Sequence, residues 1–241
     1  MVIVSTSVDL NPINGIEHTD MEQWPMKLFT YWRSLATFRV RVALALKNIE
    51  VEPIYVDLLE GHQAQPEFKA LNPTMAVPLL IEDDGTPLVQ SLAIMEYLDE
   101  RYTEPPLLPA DARGRARVRA LSQITVADSH PLNVPRVRHH LATTFGASPE
   151  QIAAWGRHWL TAGLDAYEGH LSRDRQTGEF CHGDTVSMAD LCLASHACGV
   201  ELFGGTLDGH PTVKRIVARC MADERFAKSH PKRQPDAPAS V

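Results

Sequence analysis

Residues 27–47 read KLFTYWRSLATFRVRVALALK, and this stretch decides the fold. Its first six residues are mostly β-forming, so they predict a strand over 27–32. From Ser34 onwards the apolar residues recur at three- and four-residue steps, which is typical of an amphipathic helix that ends near Lys47. Ser34 stands where an N-cap belongs. The helix therefore begins directly after the strand, and its N-terminus opens at the edge of the predicted sheet.

The segments that follow complete a small mixed sheet. EPIYVDL (52–58) predicts a second strand, residues 61–73 predict a loop with one helical turn, and residues 77–90 predict a β-hairpin around DGT. SLAIMEYLDERY (91–102) predicts a helix with Ser91 as its N-cap. The strand–helix–strand order favours a parallel pair with a right-handed crossover, to which the hairpin adds antiparallel strands.

The chain divides into an α/β domain and an all-α domain, each with an adjoining segment. Residues 1–25 are expected to form an extension, and residues 26–104 form the α/β domain. The Pro-rich stretch 103–114 is the best linker candidate, and almost all strand-like patterns are lost after it. Residues 113–230 predict a bundle of helices. Residues 231–241 predict a polar tail with a disordered end.

Composition and charge exclude several classes of function. The 241 residues carry a net charge of −7, so broad electrostatic binding to nucleic acid is not expected. No apolar run approaches the ~20 residues that cross a membrane, and residues 1–25 lack the features of a signal peptide. The four cysteines form no C-x-x-C pair. We therefore expect a cytoplasmic protein with free thiols and no metal site.

The first helix start is a candidate anion site. Backbone N–H groups there lack internal partners and the helix dipole is positive, so a thiolate or carboxylate is favoured. The hydroxyls of Ser34 and Thr37 are candidate donors to this anion. The alternative is that Ser34 only caps the helix and that Thr37 is a surface residue. Arg39 and Arg41, further along, are typical of helix arginines that pack or pair at a surface.

Two further features accompany this helix start. A cis Val77–Pro78 bond would leave the N–H and C=O of Val77 free to pair with a peptide-like ligand, although the trans bond is the more common alternative. Gln90 and Ser91 end a strand and open a helix, where a carboxylate could bind, although simple capping by Ser91 is the alternative. Together the three features suit a short peptide with a thiol at one end and a carboxylate at the other.

Several motifs, in this order, resemble the zeta class of glutathione transferases. They are YWRSLATFRVRVALALKNIEVE, FKALNPTMAVPLL, VQSLAIMEYLDERY, GDTVSMADLCL and SHPKRQPDAP. The zeta class includes the maleylacetoacetate and maleylpyruvate isomerases, and the resemblance covers residues 26 to about 236. It implies a thioredoxin-like N-terminal domain followed by an all-helical domain, in a homodimer, with glutathione as cofactor.

The resemblance also implies roles for individual residues. Ser34 would stabilise the glutathione thiolate, so Ser34, Thr37 and Arg33 are expected in the catalytic centre. The positions expected to bind glutathione are Gln63, Val77, Pro78, Gln90, Ser91, His130 and Asn133. Arg33 and Arg136 are expected to bind a substrate that carries carboxylates.

The sequence departs from the class at two places. Leu35 and Ala36 replace the polar residue and the cysteine that commonly follow the first serine. A further C-terminal arginine is missing, since Glu201 and Leu202 stand near its position.

The expected function is a glutathione-dependent cis–trans isomerase that acts on maleylpyruvate, maleylacetoacetate or a related acid. The thiolate would add to the double bond, the resulting single bond would rotate, and the thiolate would leave. Two alternatives stay open. One is a transferase or dehalogenase that acts on small electrophilic acids. The other is a silent glutathione-binding protein, which Leu35 and Ala36 favour.

Overall fold

The computed structural model describes residues 26–239. The predicted extension over 1–25 and the last two residues lie outside this range. The strands are Lys27–Thr30 (β1), Glu52–Tyr55 (β2), Leu79–Ile81 (β3) and Pro87–Val89 (β4). The α-helices are Leu35–Leu46 (α1), Pro66–Leu71 (α2), Ser91–Arg101 (α3), Ala112–Gln123 (α4), Pro135–Phe145 (α5), Pro149–Leu171 (α6), Met188–Leu202 (α7), Pro211–Met221 (α8) and Glu224–Ser229 (α9).

The strands form one mixed sheet in the order β2-β1-β3-β4. β1 pairs parallel with β2, and β3 pairs antiparallel with both β1 and β4. The predicted strand–helix–strand unit and the hairpin are therefore confirmed. β1 is two residues shorter than predicted, because the chain turns after Thr30 and the Ser34 N–H bonds to the Tyr31 carbonyl at 2.9 Å.

Alternate residues of β1 pack on opposite faces of the sheet, as the two-residue period of a strand requires. Leu28 belongs to the core that contains α1 and α3, whereas Phe29 packs edge-on against Phe68 of α2, with 5.8 Å between the ring centroids. Helices thus cover both faces of the sheet. The thioredoxin-like domain is confirmed, with a helical domain after it.

α1 is buried on almost every side, whereas the sequence predicted one apolar face. Besides packing on α3 within its own domain, it contacts α7 and α9 of the helical domain. Arg39, expected at a surface, is only 2% exposed. The prediction was wrong for Arg39 because a second domain covers the side of α1 that its polar residues marked as outward.

Within the helical domain, the sequence predicts helices over the stretches that form α4, α6, α7 and α8, but not over α5 or α9. None of the residues of α5 is buried, so its sequence carries little apolar periodicity. Ser187 and Asp190 form the capping box that begins α7, as their spacing suggests. After α4 the chain continues through a π-helical turn, Ile124–Ser129, and a 3₁₀ turn, His130–Asn133, which carries residues expected at the site.

The described part of the C-terminal tail packs against the first domain. Residues Pro231–Arg233 form a 3₁₀ turn, and Ala237 packs on the apolar cluster that contains Phe29. Asp236 accepts a hydrogen bond from the Trp32 backbone N–H. The tail is therefore anchored beside the segment that leads into α1.

No helix within residues 26–239 is long and apolar enough to cross a membrane. These residues also contain no group of three or more His, Cys, Asp or Glu side chains that could hold a metal ion. All four cysteines are buried and free, as expected.

Candidate active site

A cavity of about 400 Å³ lies between the two domains. Its walls contain every residue that the sequence suggested for binding glutathione: Gln63, Val77, Pro78, Gln90, Ser91, His130 and Asn133. Arg33, Ser34 and Arg136 line the same cavity. Of the predicted site residues, only Thr37 is absent from its walls.

Ser34 is both a helix cap and a cavity residue. It is the N-cap of α1, and its Oγ accepts hydrogen bonds from the Thr37 backbone N–H at 3.1 Å and from the Thr37 hydroxyl at 2.9 Å. It also lines the cavity, where the N-terminus of α1 supplies positive potential. Capping and anion binding, which the sequence presented as alternatives, are therefore compatible at this residue.

The prediction that Thr37 is a donor in the site was wrong. It is fully buried, so it is neither a direct donor to a ligand in the cavity nor a surface residue. A residue at the third position of a helix faces inward when the helix is covered on several sides, as α1 is. Thr37 instead contacts Ser34.

Leu35 leaves Ser34 on the cavity wall. Its side chain packs against α7 at Gly199, where an added Cβ would lie only 2.7 Å from Leu35 Cδ1. Gly199 therefore leaves the space that the leucine occupies. Since Ser34 and Gln90 line one cavity, the groove between the two helix starts is continuous.

The Val77–Pro78 peptide bond is cis, and both residues line the cavity. Within the described residues, neither the N–H nor the carbonyl of Val77 forms a hydrogen bond. The preceding loop is fixed by Asn72, whose Nδ2 donates to the Ala76 carbonyl at 2.7 Å. The backbone of Val77 is thus held in place with its polar groups free for a ligand.

The start of α3 differs from the prediction by one residue. The N-cap is Gln90, with a φ of 70°, and Ser91 is the first helical residue. A positive φ is uncommon for a residue other than glycine, and such backbone often occurs at functional sites. Ser91 Oγ accepts hydrogen bonds from Arg39 Nε at 3.2 Å and Arg39 Nη2 at 3.0 Å, so it does not act as the cap.

Two amide oxygens on the cavity wall are buried and have no partner in the described residues. They are Gln63 Oε1 and Asn133 Oδ1. The amide nitrogens are engaged, since Gln63 Nε2 donates to the Leu58 carbonyl and Asn133 Nδ2 donates to the Ser129 carbonyl. An unsatisfied buried acceptor is unfavourable, so both oxygens are suited to accept N–H groups from a ligand.

His130 lies on the cavity wall in its neutral form. Burial, together with the positive charges of Arg39 and Arg136 and the nearby His196, lowers the pKa of His130 to about 3. A neutral imidazole can accept one hydrogen bond and donate another at neutral pH. His130 is therefore available for polar recognition without adding charge.

The charged side chains that line the cavity are all positive. Arg33, Arg39, Arg136 and Arg138 are among its walls, and no Asp or Glu of the described residues is. None of the four forms an ion pair with a carboxylate within residues 26–239. In a chain with net charge −7, this local excess of cations favours an anionic ligand.

Arg138 and Arg39 were not predicted at the site. The Arg138 guanidinium lies 5.5 Å from the centre of the Phe203 ring, and its Nε is buried without a partner. Burial and the positive charge of Arg33 lower the pKa of Arg138. Arg138 lies on helix α5, which the sequence did not predict, so its position gave no indication of a site. Arg39 was expected at a surface because a charged side chain is rarely buried.

The chain is similar in sequence to proteins of a known family. Residues 24–100 match the model of the glutathione S-transferase N-terminal domain. A maleylpyruvate isomerase from Ralstonia is 42% identical over 213 residues, which is 88% of this chain and all of the relative.

Two solved structures are also similar. A maleylacetoacetate isomerase from Methylobacterium extorquens, crystallised with malonate and glutathione, is 48% identical with a TM-score of 0.87 and covers 88% of this chain and 100% of its own. A maleylpyruvate isomerase described as a bacterial zeta-class glutathione S-transferase is 40% identical with a TM-score of 0.85 and the same coverage. This chain therefore belongs to the zeta class of the glutathione transferase family, among glutathione-dependent isomerases.

Proposed function

We propose that this protein isomerises the cis double bond of a small maleyl acid, such as maleylpyruvate or maleylacetoacetate, with glutathione as a regenerated cofactor. The observation that supports this proposal is the cavity, in which four arginines and two helix-start serines face one space without any carboxylate from residues 26–239. The names of the similar proteins, both isomerases of maleyl acids, support the same substrate class.

The polar groups of the cavity fit glutathione. Ser34, at the N-terminus of α1, would face the thiolate, and the free backbone of Val77 would pair with the peptide. Gln90 and Ser91 would bind the γ-glutamyl end at the N-terminus of α3. The unpartnered oxygens of Gln63 and Asn133 would accept N–H groups, which is the observation that makes an amide-containing ligand a better fit than a simple anion. Neutral His130, beside Asn133, would bind from the helical domain.

When bound, glutathione would supply a thiolate, the nucleophile that opens the double bond to rotation and is regenerated afterwards. The part of the protein is to stabilise negative charge at each stage. Ser34 would stabilise the thiolate. The arginines would stabilise negative charge that develops on the substrate carbonyl.

Arg33 and Arg136 would bind the substrate carboxylates, and Arg138 is a third candidate. A guanidinium presents paired N–H donors that match a carboxylate, which favours arginine over lysine at such positions. Arg138 lies at the side of the cavity formed by α5 and Phe203. It therefore offers a positive charge to a substrate although Glu201 and Leu202 occupy the place where the class has its further arginine.

The assay that tests this function separates three outcomes. Purified protein is incubated with glutathione and maleylpyruvate, and in parallel with glutathione and a small halo-acid. Loss of maleylpyruvate without net loss of thiol supports the isomerase. Stoichiometric loss of thiol with the halo-acid supports a transferase instead. A shift of the melting temperature by glutathione, without turnover of either acid, supports a binding protein.

A suitable control replaces glutathione with its S-methyl derivative, which keeps the peptide but cannot form a thiolate. Turnover of maleylpyruvate is expected to stop. Continued turnover would contradict the proposed chemistry.

We also propose a homodimer in the cytoplasm. The dimer is supported by the resemblance to the class, and the compartment by the four buried, free thiols. Sedimentation equilibrium measures the first, and cell fractionation tests the second.

A further inference from the structure

The Ser34 hydroxyl has only its proton left for a ligand. A serine hydroxyl carries one donor and two acceptor lone pairs. Ser34 Oγ accepts two hydrogen bonds, from the backbone N–H and from the hydroxyl of Thr37. Both lone pairs are therefore occupied, and the proton is the remaining hydrogen-bonding group of Ser34, which lines the cavity.

The burial of Thr37 fixes the direction of the bond between the two hydroxyls. Thr37 is 0% exposed, and within residues 26–239 its hydroxyl has no hydrogen-bond partner other than Ser34. If Ser34 donated to Thr37, the Thr37 proton would be buried without an acceptor, which is unfavourable. Thr37 is therefore the donor, and the Ser34 proton points elsewhere.

The Ser91 hydroxyl also has only its proton left for a ligand, but for a different reason. Its Oγ accepts from both Nε and Nη2 of Arg39, and a guanidinium can only donate. Arg39 is 2% exposed, and its Nη1 donates to Ser195 of α7 at 3.2 Å, which leaves the guanidinium little freedom to turn. The Ser91 proton is thus also the free group, again at a helix start on the cavity wall.

We propose that Thr37 and Arg39 are positioning residues that keep both serine hydroxyls oriented as proton donors toward the cavity. Thr37 acts on the hydroxyl that faces the glutathione thiolate, and Arg39 acts on the hydroxyl that faces the carboxylate at the other end. This inference rests on the proposed function for the identity of the two anions. The hydrogen-bond pattern at the two serines carries it.

Without Thr37, the Ser34 hydroxyl would regain a free lone pair and could rotate away from the thiolate. The titratable and charged side chains that line the cavity are Tyr31, Arg33, Arg39, Arg136, Arg138 and His130. Replacing Thr37 by valine changes none of these groups. A change in the pKa of the bound thiol therefore reports the orientation of the hydroxyl.

The first experiment compares Thr37→Val with Thr37→Ser. The ultraviolet absorbance of the thiolate is followed against pH in the complex with glutathione, without substrate. Thr37→Val is expected to raise the pKa of the bound thiol by about one unit, because the hydrogen bond from Thr37 no longer orients the Ser34 hydroxyl toward the thiolate. Thr37→Ser keeps the hydroxyl and is expected to restore the wild-type value.

Thr125→Val is the matched control, since Thr125 is another buried threonine, whose hydroxyl bonds to Tyr167 and Cys192 in the helical domain. It is expected to lower stability without moving the pKa of the thiol. If Thr37→Val leaves that pKa unchanged in a folded protein, the inference is overturned. If wild-type protein binds glutathione but never ionises it, the proposed function itself fails.

The second experiment tests Arg39, with glutathione affinity measured by titration calorimetry. Arg39→Lys keeps a positive charge but loses the paired donors, so the Kd for glutathione is expected to rise about tenfold with the pKa of the thiol unchanged. Ser195→Ala removes the other hydrogen-bond partner of Arg39 and is expected to cause a smaller rise. An Arg39→Lys variant that folds and binds as tightly as wild type would contradict the role of Arg39.

Discussion

The carboxylate of Asp236 accepts a 2.7 Å hydrogen bond from the backbone N–H of Trp32, although the two residues are 204 positions apart. Trp32 precedes Arg33 and Ser34, which line the cavity. Arg41 supports the same segment, since its Nη2 donates to the Trp32 carbonyl and its Nε to the Ser229 carbonyl. The C-terminal tail therefore helps to fix the entry to α1.

Asp236→Ala is expected to leave the Trp32 N–H without a partner and to destabilise the protein by about 1–3 kcal/mol. Because the segment before Ser34 loosens, the KM for glutathione should also rise. Chemical denaturation and steady-state kinetics measure the two effects. Asp208→Ala serves as control, because this exposed carboxylate pairs with Lys214 far along the chain from Trp32. Equal effects of the two substitutions would refute the anchoring role.

Ser34→Ala is expected to lower kcat for maleylpyruvate by about 100-fold, in line with the loss of one donor to a reacting anion. Part of any effect could come from the lost helix cap. Ser148→Ala controls for this, since Ser148 caps α6 and lies outside the cavity. It should cost about 1 kcal/mol of stability and leave kcat unaffected. A Ser34→Ala variant with wild-type kcat would show that the thiolate does not depend on this hydroxyl.

Arg138→Met keeps much of the side-chain stem but removes the guanidinium. We expect the KM for a maleyl dicarboxylate to rise at least about tenfold, since one charge-assisted contact to a carboxylate is lost. The Kd for glutathione should change little. Arg157→Met, at an exposed residue of α6, provides the comparison. If Arg138→Met raises the Kd for glutathione instead, Arg138 contacts the cofactor and not the substrate.

His196 is expected to make stability fall in acid. It is buried, and burial is the main cause that lowers its pKa from 6.5 to about 4, so the folded state binds this proton less tightly than the unfolded state. Its contribution is therefore intact above pH 6.5 and is lost as the pH falls towards 4, by roughly 3 kcal/mol. Denaturant titrations between pH 7 and pH 4 measure the slope.

The free energy of unfolding of His196→Gln should depend less steeply on pH than that of wild type between pH 7 and pH 4, whatever the stability of the variant at pH 7. His139→Gln, at an exposed histidine of α5, is the comparison variant for the loss of one imidazole. Parallel slopes for wild type and His196→Gln would contradict the assignment to His196.

The sequence determined the parts of the fold that local chemistry encodes. Ser34 before an apolar period starts α1, DGT between β-forming runs closes the hairpin, and Ser187 with Asp190 caps α7. Family motifs then indicated ten residues that do line one cavity, including Gln63, whose own neighbourhood carried no distinctive pattern. These features depend on residues close together in sequence, or on motifs that resemble those of the family.

Only the tertiary structure decided which charged groups reach the site and which hydroxyls donate there. Arg39 meets Ser91 and Ser195 at separations of 52 and 156 positions, and Arg138 enters the cavity on a helix with no buried face. Burial of Thr37 sets which hydroxyl donates. No local pattern encodes these relationships, because Arg39 bonds to residues distant in sequence and Thr37 is buried only after other helices have packed around α1.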